Sequence, residues 1–336
     1  MRHRLIPRGV LVGLVVFEII LCRHLVADEP KQPVADPRSI IPARVEEIIW
    51  WLPTDTQTVT VEQEPLRFLA EPDDKGLSVS PPWPPAIVRK GALSRQLAGK
   101  NVILRVEGAR RFRVPKDLGL MPYEGATVAV FEQGLDASIS KSLHEGATRT
   151  ETIEGSQVSM FSQRYEMNDW TLYICQPKPN VLIGATDRGY LAELLRRIEN
   201  RASSRALPAD LPEWKLLDPV SPCWGIRHYD VKDAKSDPTS PLGGREGWYF
   251  RDDDAVGMVF TFDARRHKAT VKHLSSSKDA ASAVTKYWQN EQLEKKPQVQ
   301  QAEPGVVEVS ATFGQGEPDP IFLFLLSTAL GHGVCL

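Results

Sequence analysis

Histidine and aspartate residues in the second half of the chain are the strongest candidates for chemistry. The segment from Cys223 to Asp230 reads CWGIRHYD, and the alternation of a strand would place His228 and Asp230 on one face. An imidazole beside a carboxylate can act as a base with its orienting group, or as a pair of metal ligands. His267 and His273 would share a face of the next hairpin. Together these four residues define a hypothetical site of a metal-dependent hydrolase.

The spacing of these residues matches no catalytic or ligand motif. The chain contains no HExxH, no HxH and no DxDxDG loop, although Asp252–Asp254 supplies three carboxylates nearby. Ser156 lacks the flanking glycines of a GxSxG nucleophile, and the glycine-rich segment Gly243–Gly247 follows no predicted strand. We therefore assign no catalytic residue, no metal and no cofactor, and the sequence favours a protein that acts by binding.

One amphipathic helix organises the first half of the chain. In the segment VLIGATDRGYLAELLRRIENR, from 181 to 201, a short apolar strand precedes Thr186 and Asp187, which can cap the helix that follows. Spacings of three and four residues predict one buried stripe, formed by Leu191, Leu194, Leu195 and Ile198. On the opposite face we expect Arg196, Arg197 and Glu199.

The same pattern recurs in the second half. The segment 271–293 has Ser276 or Ser277 as its cap, followed by an apolar stripe of Ala280, Ala281, Val284, Tyr287 and Trp288. In addition, LPTD at Leu52–Asp55 and LPAD at Leu207–Asp210 each follow a predicted helical stretch and precede a predicted strand. These repetitions predict an internal duplication; the alternative is a chance recurrence of common capping patterns.

The LPxD turn that leads into a hydrophobic strand resembles uncharacterised exported bacterial proteins built from duplicated α+β halves. The resemblance covers only these short segments, and the second copy differs by an inserted LPEWKLLDP. The resemblance implies only the architecture and leaves the function open, because these proteins have no assigned activity.

The expected fold is α+β, with two diverged halves that each contain a mainly antiparallel sheet with helices packed on one face. Short turns between the predicted strands favour antiparallel pairing. The expected divisions are a signal peptide at 1–27, a Pro-rich linker at 28–41, a first half at 42–202 and a second half at 203–336. A buried apolar helix from Asp319 to Gly331 would close the fold, with a partner-binding or membrane tail as the alternative.

The N-terminus predicts export. Basic residues at Arg2, His3, Arg4 and Arg8 precede the apolar run Val10–Leu21, and cleavage after Ala27 would fit a secretory signal. An uncleaved anchor is the alternative, although this run is shorter than the ~20 residues of a spanning helix. We expect a periplasmic or extracellular protein that contacts a membrane only if Val10–Leu21 is retained.

The composition bears on two properties, nucleic-acid binding and disulfide formation. The formal net charge is −2, with 25% charged residues scattered along the chain, and this pattern does not predict nucleic-acid binding. After cleavage three cysteines remain, Cys175, Cys223 and Cys335, so one disulfide is possible and its pairing is open. We favour buried free thiols on the predicted strands.

These observations lead to three functional hypotheses. The first is an exported, non-catalytic binding or assembly protein of the cell envelope, whose partner is an unknown envelope protein or ligand. The second is the metal-dependent hydrolase that would use His228, Asp230, His267 and His273. The third is a membrane-anchored interaction protein with an uncleaved N-terminal helix.

Overall fold

A computed structural model describes residues 41–63, 101–110, 124–165, 168–200, 204–228, 255–263, 268–290 and 297–312. The predicted signal peptide, nearly all of the linker, Cys335 and the predicted closing helix from Asp319 to Gly331 lie outside these ranges. Asp230, His267 and the Asp252–Asp254 cluster also lie outside them. In the described part of the chain no helix is both long and apolar enough to cross a membrane.

The described ranges contain twelve strands: β1 (Thr58–Glu62), β2 (Val102–Ala109), β3 (Gly125–Phe131), β4 (Arg149–Ile153), β5 (Ser156–Tyr165), β6 (Asn168–Lys178), β7 (Val181–Ala185), β8 (Cys223–His228), β9 (Ala255–Asp263), β10 (Lys268–Ser275), β11 (Gln298–Glu303) and β12 (Val306–Thr312). They form one continuous antiparallel sheet in the order β11-β12-β10-β9-β8-β1-β2-β3-β7-β6-β5-β4. The expectation of a mainly antiparallel α+β protein is confirmed.

In the described part of the chain, four α-helices pack on this sheet: α1 (Ala43–Trp51), α2 (Ala137–Gly146), α3 (Arg188–Glu199) and α4 (Lys278–Asn290). A short 3-10 helix, Pro212–Leu216, precedes β8. The sequence predicts a helix at about Ala43–Trp51, ending at Pro53, and α1 has these bounds. No sequence pattern predicts α2 or the edge strand β4.

The helices lie on both faces of the sheet, and the prediction of a single helical face is therefore wrong. Helices α1 and α3 and the 3-10 helix cover one face, here called the α1 face, over a core that includes Val59, Val128 and Ile226. Helix α2 packs on the opposite face, the α2 face, against Ala129, Leu182 and their neighbours. Helix α4 also lies on the α2 face. Strand alternation explains this division, because successive residues of one strand point to opposite faces.

Helix α3 follows the sequence pattern closely. Asp187 is its N-cap and accepts a hydrogen bond from the Tyr190 amide at 2.7 Å, and Leu191, Leu194 and Leu195 are buried. The prediction for Arg197 is wrong, because this side chain is partly buried and donates hydrogen bonds to the carbonyls of Trp50 and Ser204. Its length lets an Arg at the edge of the stripe reach back over α1.

The two LPxD segments lead to the centre of the sheet. The leucines Leu52 and Leu207 are both in the core of the α1 face, and Leu207 has a positive φ of 51°. The strands that follow, β1 and β8, pair with each other, so the sheet continues across the predicted boundary at residue 202. A hairpin followed by a helix occurs in both halves, as β6-β7-α3 and β9-β10-α4. The internal duplication itself is not confirmed.

Candidate functional site

The structure describes two of the four predicted hydrolase residues, and the sheet separates them. His228 on β8 is opposite Gly257 of β9, and Gly257 is opposite Leu274 of β10. Residues directly opposite in an antiparallel pair share a face, so His228 lies on the α1 face and His273, the neighbour of Leu274, lies on the α2 face. His228 and His273 cannot act on one ligand.

The partner of His228 is Glu213, which the sequence analysis did not identify. The Nδ1 atom of His228 lies 2.8 Å from Oε1 of Glu213, and the Glu213 side chain is fully buried while that of His228 is one-third exposed. The other carboxylate oxygen of Glu213 has no hydrogen-bond partner within the described ranges. This pair connects the 3-10 helix to the end of β8.

A glycine makes room for this carboxylate. A Cβ atom on Gly257 would lie 2.0 Å from Oε1 of Glu213, far inside contact distance, so a larger residue there would displace the carboxylate. The next residue, Trp214, packs edge-on against Trp224 of β8 at a centroid distance of 6.3 Å. Together these contacts fasten the 3-10 helix to the sheet, and we assign His228 and Glu213 this structural role.

His273 occupies a core position beneath α4. Its Nε2 atom accepts a hydrogen bond from Nε1 of Trp288 at 3.2 Å, and burial lowers its pKa to about 3. A neutral imidazole is therefore the stable form near neutral pH. Throughout the described ranges, no group of three or more His, Cys, Asp and Glu residues could hold a metal ion.

A different set of residues stands out at the centre of the sheet. On strands β1, β2, β3 and β8, the α2 face carries a contiguous group of polar side chains, here called the polar strip. Its members are Thr58, Thr60, Glu62, Arg105, Glu107, Thr127 and Arg227. The register places them in rows, with Thr60 opposite Glu107, Glu107 opposite Thr127, and Thr58 opposite Arg227. Most of these side chains are buried, with Thr58 and Thr60 each only 6% exposed.

An ion pair lies within the polar strip. Arg105 of β2 is directly opposite Glu62 of β1, and the two side chains form a hydrogen-bonded salt bridge with side-chain exposures of only 14% and 11%. Burial lowers the pKa of Arg105, but the attraction and hydrogen bond of Glu62 outweigh it, so the net pKa lies above its usual value. The guanidinium therefore stays charged inside the protein.

Two further groups mark the strip as unusual for a protein interior. The hydroxyl of Thr58 is buried and has no hydrogen-bond partner in the described part of the chain. Beside Glu62 on the neighbouring strand, Cys223 is a buried free thiol whose pKa burial raises well above its ordinary value. Cys175 of β6 is also free and buried, so the expectation of free thiols is confirmed for these two cysteines.

Comparison with known proteins assigns neither a family nor a function to this chain. No protein-family model matches the chain, and no curated protein matches its sequence. Solved structures of TP0453, a Treponema protein, can be superposed on it. Crystal form I has 7% sequence identity and a TM-score of 0.47, covering 84% of this chain and 97% of TP0453. Crystal form IV has 8% identity and a TM-score of 0.41, covering 82% and 95%. At these values no property of TP0453 is carried over.

Proposed function

We propose that the protein is exported and serves the cell envelope as a non-catalytic binding or assembly protein, and that the polar strip holds a small polar ligand. The pattern of residues 1–27 supports export. The polar strip supports binding, and it is the observation that carries the proposal.

The argument rests on the cost of polar groups in a protein interior. A buried hydroxyl without a partner costs about 1–3 kcal/mol, and a buried ion pair is often no more stabilising than apolar side chains of the same volume. The same strands carry apolar residues on the α1 face, such as Val59 and Val106, so apolar packing is compatible with their backbone. Polar groups retained at such a cost are typical of a site that recognises something.

The residue types indicate the chemistry of the ligand. Threonine hydroxyls both donate and accept hydrogen bonds, so they can pair with the hydroxyl and carboxylate groups of a ligand. We therefore expect a small molecule with hydroxyl or carboxylate groups, such as a sugar, a sugar acid or an amino acid.

A thermal-shift screen of sugars, sugar acids and amino acids tests this binding. At least one compound should raise the melting temperature of the wild-type protein, and the double substitution Thr60→Val and Thr127→Val should abolish that rise by removing two hydroxyls of the strip. Thr150→Val on the exposed edge strand β4 is the matched control and should keep the full rise. A screen without any hit, or an equal rise in the double variant, would contradict the proposal.

Export is tested separately, in the native host. The mature protein isolated from the envelope fraction should begin near Asp28, as measured by mass spectrometry of its N-terminal peptide. An intact Met1 in the membrane fraction would favour the anchored alternative, and recovery from the cytoplasm would contradict export altogether.

A further inference from the structure

The two edges of the sheet are protected to different degrees. Strands β4 and β11 are the outer strands, and each has one partner among the described strands. An open edge presents unpaired backbone groups that can pair with another chain, and natural proteins block such edges with short strands and charges. Strand β4 has only five residues, including Arg149 and Glu151, and Glu151 forms a 3.0 Å ion pair with Arg188.

Strand β11 lacks most of this protection. It has six residues, QVQQAE, and all are exposed except Val299, which is half-buried. No charged side chain occurs between Gln298 and Gln301, and Glu303 lies beyond the shift in register that follows Gln301. The outer side of β11 is therefore an uncharged ladder of backbone donors and acceptors.

We propose that this edge binds β11 of a second copy of the same chain, in antiparallel pairing about a two-fold axis. A glutamine amide both donates and accepts hydrogen bonds, so glutamines can pair with glutamines across the axis, which lysines or glutamates cannot do. The expected mature chain, from Asp28 onward, has 37 Lys and Arg against 42 Asp and Glu, and this formal net charge of −5 adds only modest repulsion between two copies. These two properties favour an identical partner over a charged peptide.

The register follows from the faces of the strand. Val299 is opposite Val309 of β12, which is opposite Val271 of β10 on the α2 face, whereas Gln298 and Gln300 lie on the α1 face. Pairing centred on Val299 keeps every residue on its own face, because Val299 then meets its own copy and Gln298 meets Gln300. The two sheets would continue as one across the axis.

Analytical ultracentrifugation of the mature chain over a range of concentrations tests the proposal, which is independent of ligand binding at the polar strip. The wild-type protein should dimerise reversibly. Gln300→Lys should raise the dimer dissociation constant at least about tenfold, since lysine is the residue with which natural edge strands block pairing. Thr150→Lys makes the same kind of change at an exposed position of β4 and should leave the constant unchanged.

Melting curves of the three proteins establish that the variants are folded, and both substituted positions are exposed. A wild-type protein that stays monomeric at all concentrations overturns the proposal. An equally tight dimer of the Gln300→Lys variant, or an equal weakening by Thr150→Lys, overturns the assignment of the interface to β11.

Discussion

The two faces of the central strands are both buried, but one is apolar and the other is polar. On the α1 face, residues such as Val59 and Val61 of β1 are apolar and lie beneath helices α1 and α3. On the α2 face of the same strand, Thr58, Thr60 and Glu62 are nearly as deeply buried, although they are polar. Both faces exclude water, but only the α1 face gains the full hydrophobic free energy for doing so. Burial alone therefore does not identify a hydrophobic core.

The largest expected effect concerns the ion pair of the polar strip. Arg105→Met should destabilise the protein by about 3–5 kcal/mol, because it leaves the Glu62 carboxylate buried without its counter-charge. The free energy of unfolding from urea titration measures this loss. Adding Glu62→Leu to Arg105→Met should recover most of it, and a double variant as unstable as the single one would mean that the strip needs both charges for folding.

The next prediction tests whether His273 is a core residue of the α2 face. Its pKa of about 3 lies below the 6.5 of an exposed histidine, so the unfolded chain binds the proton more readily between these values. Stability should therefore fall as the pH decreases below about 6.5, by roughly 2–3 kcal/mol at about pH 4.5.

Urea titrations at several pH values measure this slope. The His273→Gln variant should show a smaller decrease, because glutamine can accept the Trp288 hydrogen bond without titrating. In contrast, Trp288→Phe should keep the pH dependence, since it removes the indole and leaves the imidazole. An unchanged pH dependence in His273→Gln would show that other groups determine the acid response.

A pair of neighbouring substitutions compares the two faces directly. Val59→Thr places a hydroxyl in the apolar core and should cost about 1–3 kcal/mol. Thr58→Val removes the buried hydroxyl without a described partner and should be neutral or slightly stabilising. Melting temperatures of the two variants give the sign of each change, and two equal losses would show that the faces do not differ in this way.

The smallest expected effect on stability concerns a surface ion pair, which belongs to neither buried face of the sheet. Arg196 is exposed on α3 and forms a 2.8 Å ion pair with Glu154. Such surface pairs contribute little because water screens both charges, so Arg196→Ala should leave the free energy of unfolding nearly unchanged. Arg197→Ala should cost more in the same denaturation assay, because its hydrogen bonds join α3 to the end of α1.

Local sequence patterns predict the secondary-structure elements well, but they predict poorly which faces of those elements are buried. The alternation in TQTVTVEQE, residues 56–64, predicts a half-buried strand and shows which residues share a face. Strand β1 does form within this segment, but all five of its residues are buried. Periodicity reports relative orientation along one strand, and whether a face meets water depends on segments distant in sequence.

The candidate site illustrates the same limit. His228 was recognised from its own strand, but Glu213 belongs to a 3-10 helix 15 residues earlier and fits only because Gly257 of another strand has no side chain. Asp230, two residues away, was the more obvious partner from sequence. Helix α2 was missed for a local reason, since ASISKSLHEG has few apolar residues and only Ile139 and Leu143 are buried.

The pairing of β1 with β8 also constrains how the protein folds. Thr58 and Arg227 are partners although they are 169 residues apart (227 − 58), so the centre of the sheet cannot close until most of the chain is available. Contacts this distant in sequence slow folding, because the loss of chain entropy precedes the gain from contact. Until β8 pairs with β1, the backbone N–H and C=O groups along one edge of β1 have no partner, and this segment has a high β-propensity. A chain that emerges from its N-terminus onward would therefore be most prone to aggregate after its first half is complete.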